Sequence, residues 1–237
     1  MIKISRIFSI VLSVALFAAA ASAQMSDKEK ANQLKKAKET SDKAAKVMDE
    51  LMKIPANSIP ESLLKKTKAI AIFPGVMKAA FVFGGSGGQG MISRRLATGW
   101  SAPVAFKLAQ GSVGFQIGAS STDYVLLIMD DDGLKNLLED QFELGGEASV
   151  AAGPVGRTAA ATTDAQLEAE ILTYSRSKGL FAGISLKGGV LSPDNDRNMA
   201  LYNLPAKQLL TGTNKVAIAD IPEATQAFHA AVTRHAR

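Results

Sequence analysis

Gly85-Ser86-Gly87-Gly88-Gln89-Gly90 carries the G-x-G-x-x-G spacing that lets backbone amides cradle a pyrophosphate when it follows a strand and opens a helix. That chemistry needs a helix directly downstream and an acid about 20 residues further on. The run after the hexapeptide, Met91 to Arg95, reads as a strand, and the next acid is Asp123. The hexapeptide is therefore read as a glycine-rich β-turn. The same stretch satisfies G-x-S-x-G around Ser86, but a nucleophile elbow also leads into a helix and its serine needs a base. The only histidines, His229 and His235, both fall in the last predicted helix, six residues apart and on different faces. A hydrolase and a histidine metal pair are both disfavoured, and no catalytic residue or cofactor is assigned.

Asp130-Asp131-Asp132-Gly133 with Glu139 keeps the glycine-to-glutamate separation of an EF-hand loop, yet the first ligand position falls on Ile128 and no helix enters. Helix capping after a strand is the reading. Asp194-Asn195-Asp196 has the donors to draw a cation, and a solvated turn after Pro193 explains the run as well. With no cysteine there is no Cys/His cluster for zinc or iron, and no metal ligand is assigned.

Charge is distributed unevenly. Between Ser62 and Thr122 there is no acid, while Lys65, Lys66, Lys68, Lys78, Arg94, Arg95 and Lys107 are all basic; from Asp123 onward acids are in excess. If these bases share a face, they form a surface for phosphates of lipid or nucleic acid. If folding interleaves the two halves, the charges neutralise locally. Few aromatics are available to stack on bases, which disfavours nucleic acid. Trp100, beside Gly99 and Ser101, suits either a membrane headgroup layer or the centre of a core.

The elements that must position these residues can be read from the hydrophobic period. Residues 26–53 read as a helix capped by Ser26 and Glu29, with a thin, alanine-rich stripe through Leu34, Ala37, Ser41, Ala44, Met48 and Leu51. It is read as packed on its own domain, with a partner helix or an anionic membrane surface as the other options. Ser58 with Glu61 caps a short second helix. From Ala69 the period turns to that of strands: 69–73, 79–83, 91–95, 104–108, 113–117, 124–129, 148–152, 167–174 and 180–186, with a short helix at 134–138. Helices at 205–210 and 222–234 close the chain. The predicted class is α+β: a predominantly antiparallel, barrel-like or sandwich-like β body (69–203) with an N-terminal helical arm (26–66) and short C-terminal helices (204–237). Small residues within the strands predict tight curvature or close backbone approach.

The chain has 237 residues, 47% of them hydrophobic and 21% charged, with a net charge of +5. That composition excludes disordered, collagenous and disulfide-scaffold classes. Lys3 and Arg6, the apolar run 7–20 and Ala21-Ser22-Ala23 before Gln24 read as a cleaved signal peptide, residues 1–23. The expected location is periplasmic or extracellular.

The ordered series Pro60-Glu61-Ser62-Leu63-Leu64, Ala69 to Pro74, Phe83-Gly84-Gly85, Gly99-Trp100-Ser101-Ala102-Pro103, Gly114 to Gly118, Gly153-Pro154-Val155-Gly156-Arg157, Tyr174 to Gly183 and Tyr202 resembles the SYLF domain, over residues 30 to 205. Eukaryotic members bind phosphoinositides and related acidic phospholipids, and fungal ones also bind and bundle actin, so the resemblance implies lipid binding. In those relatives an N-terminal amphipathic helix and basic residues assist membrane attachment; the corresponding features are the 26–53 helix and Lys65, Lys66 and Lys68. Export separates the chain from actin and makes phosphatidylglycerol, cardiolipin or phosphatidic acid the expected ligands. The expectation is a non-enzymatic, peripheral binder of acidic phospholipid at an envelope membrane, acting through Lys65, Lys66, Lys68, Arg94 and Arg95 with Trp100. The alternative is a structural or protein-interaction module of the envelope, with the charged helix as partner surface.

Overall fold

Helix α1 (Asp27–Lys53) starts where its capping residues stand: Ser26 Oγ accepts the Glu29 amide at 3.2 Å and the Ser26 carbonyl accepts the Lys30 amide at 2.8 Å. The computed structural model describes residues 25–53, 58–80, 83–113, 118–156, 168–177, 179–211 and 216–237. The predicted signal peptide lies outside them. The chain divides into two compact units, residues 1–32 and 33–237, and the sheet lies within the second.

Ten described strands form one sheet: β1 (Ala69–Ala80), β2 (Phe83–Leu96), β3 (Gly99–Trp100), β4 (Val104–Val113), β5 (Gly118–Ile128), β6 (Phe142–Glu143), β7 (Val150–Ala152), β8 (Ile171–Ser177), β9 (Leu180–Gly183) and β10 (Gly189–Pro193). Their order is β6-β10-β4-β2-β1-β5-β8-β7, with β3 on β2 and β9 on β8. Every ladder is antiparallel except β7 with β8. The described helices after α1 are α2 (Glu61–Lys66), α3 (Asp131–Asn136), α4 (Asn195–Tyr202), α5 (Ala206–Thr211) and α6 (Glu223–His235).

Alternation in β1 explains the layers. Ile70 and Ile72 point to one face and Ala69, Ala71 and Phe73 to the other, and all five are fully buried. On the first face Ile70, Ile72, Met91, Val125 and Leu127 pack with α1, α2 and α6. On the second, Phe142 and Leu191 from one edge of the sheet share a cluster with Val150 and Ile171 from the other. Residues at opposite edges meet only because the sheet curls, so this face is the inside of a half-barrel. The α+β, curled antiparallel architecture agrees with the expectation from sequence. The α1 stripe of Ala37, Thr40, Ser41, Ala44, Val47, Met48 and Leu51 is buried. Against α6, Ser41 Oγ accepts the Phe228 amide at 3.1 Å, and Asp49 meets Arg234 and His235 at 2.7 Å each.

Several local readings need correction. Gly85–Gly90 is not a turn: it runs through the middle of β2. The cause is Pro74-Gly75, read as a break but in fact a bulge inside β1, where the registers with β2 and β5 both shift. Gly75 takes φ +62°, and its amide donates to Asp123 Oδ1 at 2.8 Å. The bulge presses β1 onto β2. A Cβ on Gly90 would lie 2.4 Å from the Ile72 carbonyl, and one on Gly88 would lie 2.6 Å from Val76 Cγ2. The predicted 79–83 strand is divided between the end of β1 and the start of β2. Of the predicted 113–117 strand, residues 114–117 lie outside the described residues. Pro60, not Ser58, stands at the N-cap position of α2, its carbonyl accepting the Leu63 and Leu64 amides. Asp194-Asn195-Asp196 is no solvated turn either, because Asp194 is buried and α4 begins directly after it.

Between β7 and β9 the sheet forks. The outer edge of β8 is paired by β7 up to Thr173 and by β9 from Tyr174. At the handover the Thr173 carbonyl accepts the amides of both Gly153 (3.0 Å) and Ile184 (3.1 Å). Two backbones converge there, and both contribute glycine, Gly153 and Gly183.

Candidate functional site

The sequence Glu61-Ser62-Leu63-Leu64-Lys65-Lys66 makes one and a half turns of helix whose leucines are buried, which turns Lys65 and Lys66 outward. Its C-terminal carbonyls are met by its own C-cap residue and by an arginine of β2. Thr67 Oγ1 donates to the Leu63 carbonyl at 2.8 Å, Arg95 Nη2 to Leu64 at 2.7 Å, and Arg95 Nε to Thr67 at 3.0 Å. A guanidinium at the negative end of a helix is electrostatically favourable, and Arg95 also lies 4.4 Å from the centroid of the Trp100 ring. Lys68 stands just before β1, its amide bonded to Ile128. Its ammonium is 3.6 Å from Asp131, and that of Lys65 is 4.0 Å from Glu61. Both pairs are exposed, so they hold the lysines only loosely.

The structure thus brings Lys65, Lys66, Lys68 and Arg95 together at the junction of α2 and β1. Arg94 is not with them. Neighbours in a strand point to opposite faces, and Arg94 Nη1 donates at 2.6 Å to the Leu210 carbonyl in the last turn of α5. One dipeptide therefore caps a helix on each side of the sheet. Trp100 occupies the core, 4% exposed, with Nε1 donating to the Ala236 carbonyl at 2.9 Å and its own carbonyl 3.2 Å from His229 Nε2. Lys78 and Lys107 stand away from the junction, and Lys107 pairs with Asp194 across the two charge halves at 3.1 Å. The seven bases do not form one face.

Asp130 caps α3, its Oδ1 accepting the Gly133 amide at 2.8 Å, as the capping reading expects. Among the described residues no group of three or more His, Asp or Glu is arranged for a metal, and no helix is long and apolar enough to cross a membrane.

A second polar concentration lies in the core and has no signature in the sequence. Asp194 and Arg197 are buried 3.4 Å apart; burial lowers the guanidinium pKa while Asp194 opposes that shift. Asn198 donates to the Ala105 carbonyl at 3.0 Å and accepts its amide at 2.8 Å, clamping α4 to β4. Tyr202 Oη donates to the Pro103 carbonyl at 2.6 Å and lies 3.1 Å from Thr225 Oγ1. Burial raises the phenol pKa of both Tyr202 and Tyr174. Because the fold favours the neutral phenols, their contribution is complete below the ordinary tyrosine value of about 10 and falls as pH rises above it. The urea midpoint should therefore drop as pH rises from about 9 to about 11, on either side of that value, and Tyr202→Phe should flatten that drop; equal slopes in the two proteins would contradict this.

The sequence of this chain, compared with known proteins, matches the family described as "Ysc84: Las17-binding protein actin regulator" over residues 109–235. It is 41% identical over 160 residues to LAS seventeen-binding protein 3 of Saccharomyces cerevisiae, covering 65% of this chain and 35% of that protein. It is 42% identical over 160 residues to SH3 domain-containing protein PJ696.02 of Schizosaccharomyces pombe, covering 65% and 37%. With SH3 domain-containing YSC84-like protein 1 of Rattus norvegicus the identity is 34% over 194 residues, covering 78% and 55%. The matched region is thus about a third to a half of these relatives' length. Several residues of the ordered series that resembles the SYLF domain also build the fold: the bulge at Pro74, the Trp100 anchor, and the fork at Gly153, Tyr174 and Gly183. By these matches the chain belongs to the Ysc84 (SYLF) family.

Proposed function

We propose that this chain is a non-enzymatic binder of acidic phospholipid, attached peripherally to a membrane surface by Lys65, Lys66 and Lys68. The observation that carries the reading is the α2–β1 junction, where three lysines within four residues are exposed on a backbone fixed by Arg95. Of the other three residues only Arg95 holds this surface, through the Leu64 and Thr67 carbonyls, whereas Arg94 and Trp100 brace the Leu210 and Ala236 carbonyls elsewhere in the fold. Export through residues 1–23 is part of the proposal, and it makes phosphatidylglycerol, cardiolipin or phosphatidic acid the fitting lipids.

Each lysine close to an anionic surface contributes about 1 kcal/mol. Replacing all three with glutamate should weaken partition onto phosphatidylglycerol vesicles by at least tenfold (about 1.4 kcal/mol), with the thermal midpoint little changed because the side chains are exposed. Co-sedimentation at low and high salt measures this. Equal, salt-insensitive binding to neutral phosphatidylcholine vesicles would sink the proposal.

A second reading, a protein-interaction module of the envelope, has the relatives' names in its favour, one of which reads as a LAS seventeen-binding protein. On that reading the exposed charged face of α1 is the partner surface, and the triple substitution would leave lipid partition unchanged.

A further inference from the structure

Where the apolar core of the helical face ends, a groove of about 560 Å³ opens between α1 and the sheet. Its wall is Lys36, Glu39, Thr40 and Lys43 of α1; its floor is Gly87, Gly88 and Gln89 of β2 with Ala109 of β4 and the Pro74-Gly75 bulge; Lys107 closes one end. We infer that this groove is a binding site for a phosphate-bearing polar group, with Lys36, Lys43 and Lys107 as its cationic contacts.

Three features of the site support it. The first is charge. Lys36 and Lys43 together exceed Glu39 by one charge, and Lys107 belongs to a cluster in which one acid, Asp194, faces two bases, Lys107 at 3.1 Å and Arg197 at 3.4 Å. The excess of two positive charges matches a phosphate monoester or a pair of diesters. The second is preorganisation. The Asp194 carboxylate 3.1 Å from the Lys107 ammonium is itself buried, so this lining cation is anchored to the core.

The third is the floor. At Gly88, whose backbone lies in the floor, and at Gly90 a Cβ would point to the other face of the sheet, where packing against Val76, Ile72 and Phe73 leaves no room for it. Gly87 faces the groove and is different. A Cβ there would meet nothing closer than the Leu108 carbonyl at 3.9 Å, and it is not among the glycines with positive φ. A glycine in a strand interior weakens the strand, and nothing in the fold requires this one. Its effect is to keep the floor bare, so that a ligand reaches the backbone. Thr40 Oγ1 is bonded to the Lys36 carbonyl at 2.9 Å, which leaves the ammonium groups and Gln89 as the polar contacts.

This site does not depend on the membrane-surface reading. Gly87 and Arg95 are eight residues apart along β2, about 26 Å at strand rise, so the two sets of lysines can be tested separately. The full chain is titrated with glycerol 3-phosphate while backbone amide resonances are followed, and is separately co-sedimented with phosphatidylglycerol vesicles. Saturable shifts confined to residues of the groove are expected. Gly87→Val, which fills the floor without touching charge, and Lys36→Glu with Lys43→Glu should each weaken that binding at least tenfold; Lys65→Glu, Lys66→Glu and Lys68→Glu together should leave it intact. Loss of vesicle binding in Gly87→Val assigns the site to a lipid headgroup, and unchanged vesicle binding assigns it to a soluble phosphate compound. The absence of saturable shifts at millimolar glycerol 3-phosphate, or full binding by Gly87→Val, overturns the inference. Because a Cβ fits at position 87, the variant is expected to fold, and its amide spectrum verifies that directly.

Discussion

Gly183→Ala should destabilise the protein by more than about 3 kcal/mol, at the upper end of what overpacking a core costs. The added methyl would sit 2.0 Å from the Gly153 carbonyl oxygen and 3.0 Å from the Gly153 nitrogen and carbonyl carbon. All three atoms are backbone, so no side chain can swing aside. Gly153 cannot retreat either. Its amide is bonded to Thr173, and it lies against the Tyr174 ring, which a Cβ on Gly153 would approach to 2.0 Å. Relief requires β9 to leave β8, which gives up the Tyr174, Ser175, Arg176 and Ser177 pairings and the hydrogen bond from Thr173 Oγ1 to Ile184. Urea unfolding measures the loss. Gly87→Ala is the internal reference: the same methyl, added to a strand position with room for it, should be neutral or slightly stabilising. A Gly183→Ala protein as stable as wild type would mean that the fork is not the close contact described.

Asp194→Ala should cost about 3–5 kcal/mol, the range for breaking a buried ion pair from one side. It would leave Arg197, 1% exposed, without a counter-charge while Lys107 swings back into water. Arg197→Met is expected to behave differently. Methionine fills much of the space of the arginine stem, and the buried Asp194 keeps Lys107 at 3.1 Å as a counter-charge, so the loss should be smaller than that of Asp194→Ala. The double variant should recover most of what Asp194→Ala loses. A double-mutant cycle in urea tests this, and single losses that simply add in the double variant would show that the pair is not the stabilising unit.

Both expectations concern residues whose importance the chain did not advertise. The strands of the sheet centre were legible because Ile70 to Phe73 and Val125 to Ile128 are continuous apolar runs, as strands buried on both faces must be. Helix α1 was legible from its cap and its 3.6-residue stripe. What failed was local chemistry overridden by tertiary contacts. Pro and Gly at 74–75 normally end a strand, but here the Asp123 carboxylate holds the Gly75 amide and the strand continues past a bulge. Nothing in the sequence separates Asp194, Arg197 and Asn198 from the exposed Asn195 and Asp196 between them, and only the approach of Lys107 and the Ala105 backbone, far earlier in the chain, makes those three part of a core. The candidate lysines could be read one by one, whereas their separation from Arg94 and Lys107 could not. Whether two bases share a face depends on sheet register, which charge spacing does not encode.

The pairing of α1 with α6 bears on when this protein can fold as it emerges from the ribosome. Ser41 meets Phe228, and Asp49 meets Arg234 and His235, contacts 185 to 187 residues apart that join the two ends of the described chain. The central strands β1, β2, β4 and β5 are close in sequence and can pair early, but the helical layer over them is built from the first and last helices. Until residues 223–236 are available, α1 lacks its partner and Trp100 lacks the Ala236 carbonyl. A nascent chain therefore carries a sheet with Ile70, Ile72, Val125 and Leu127 incompletely covered, an aggregation-exposed intermediate of the kind chaperones hold. Closure of the layer therefore waits for α6, however early the sheet beneath it has formed.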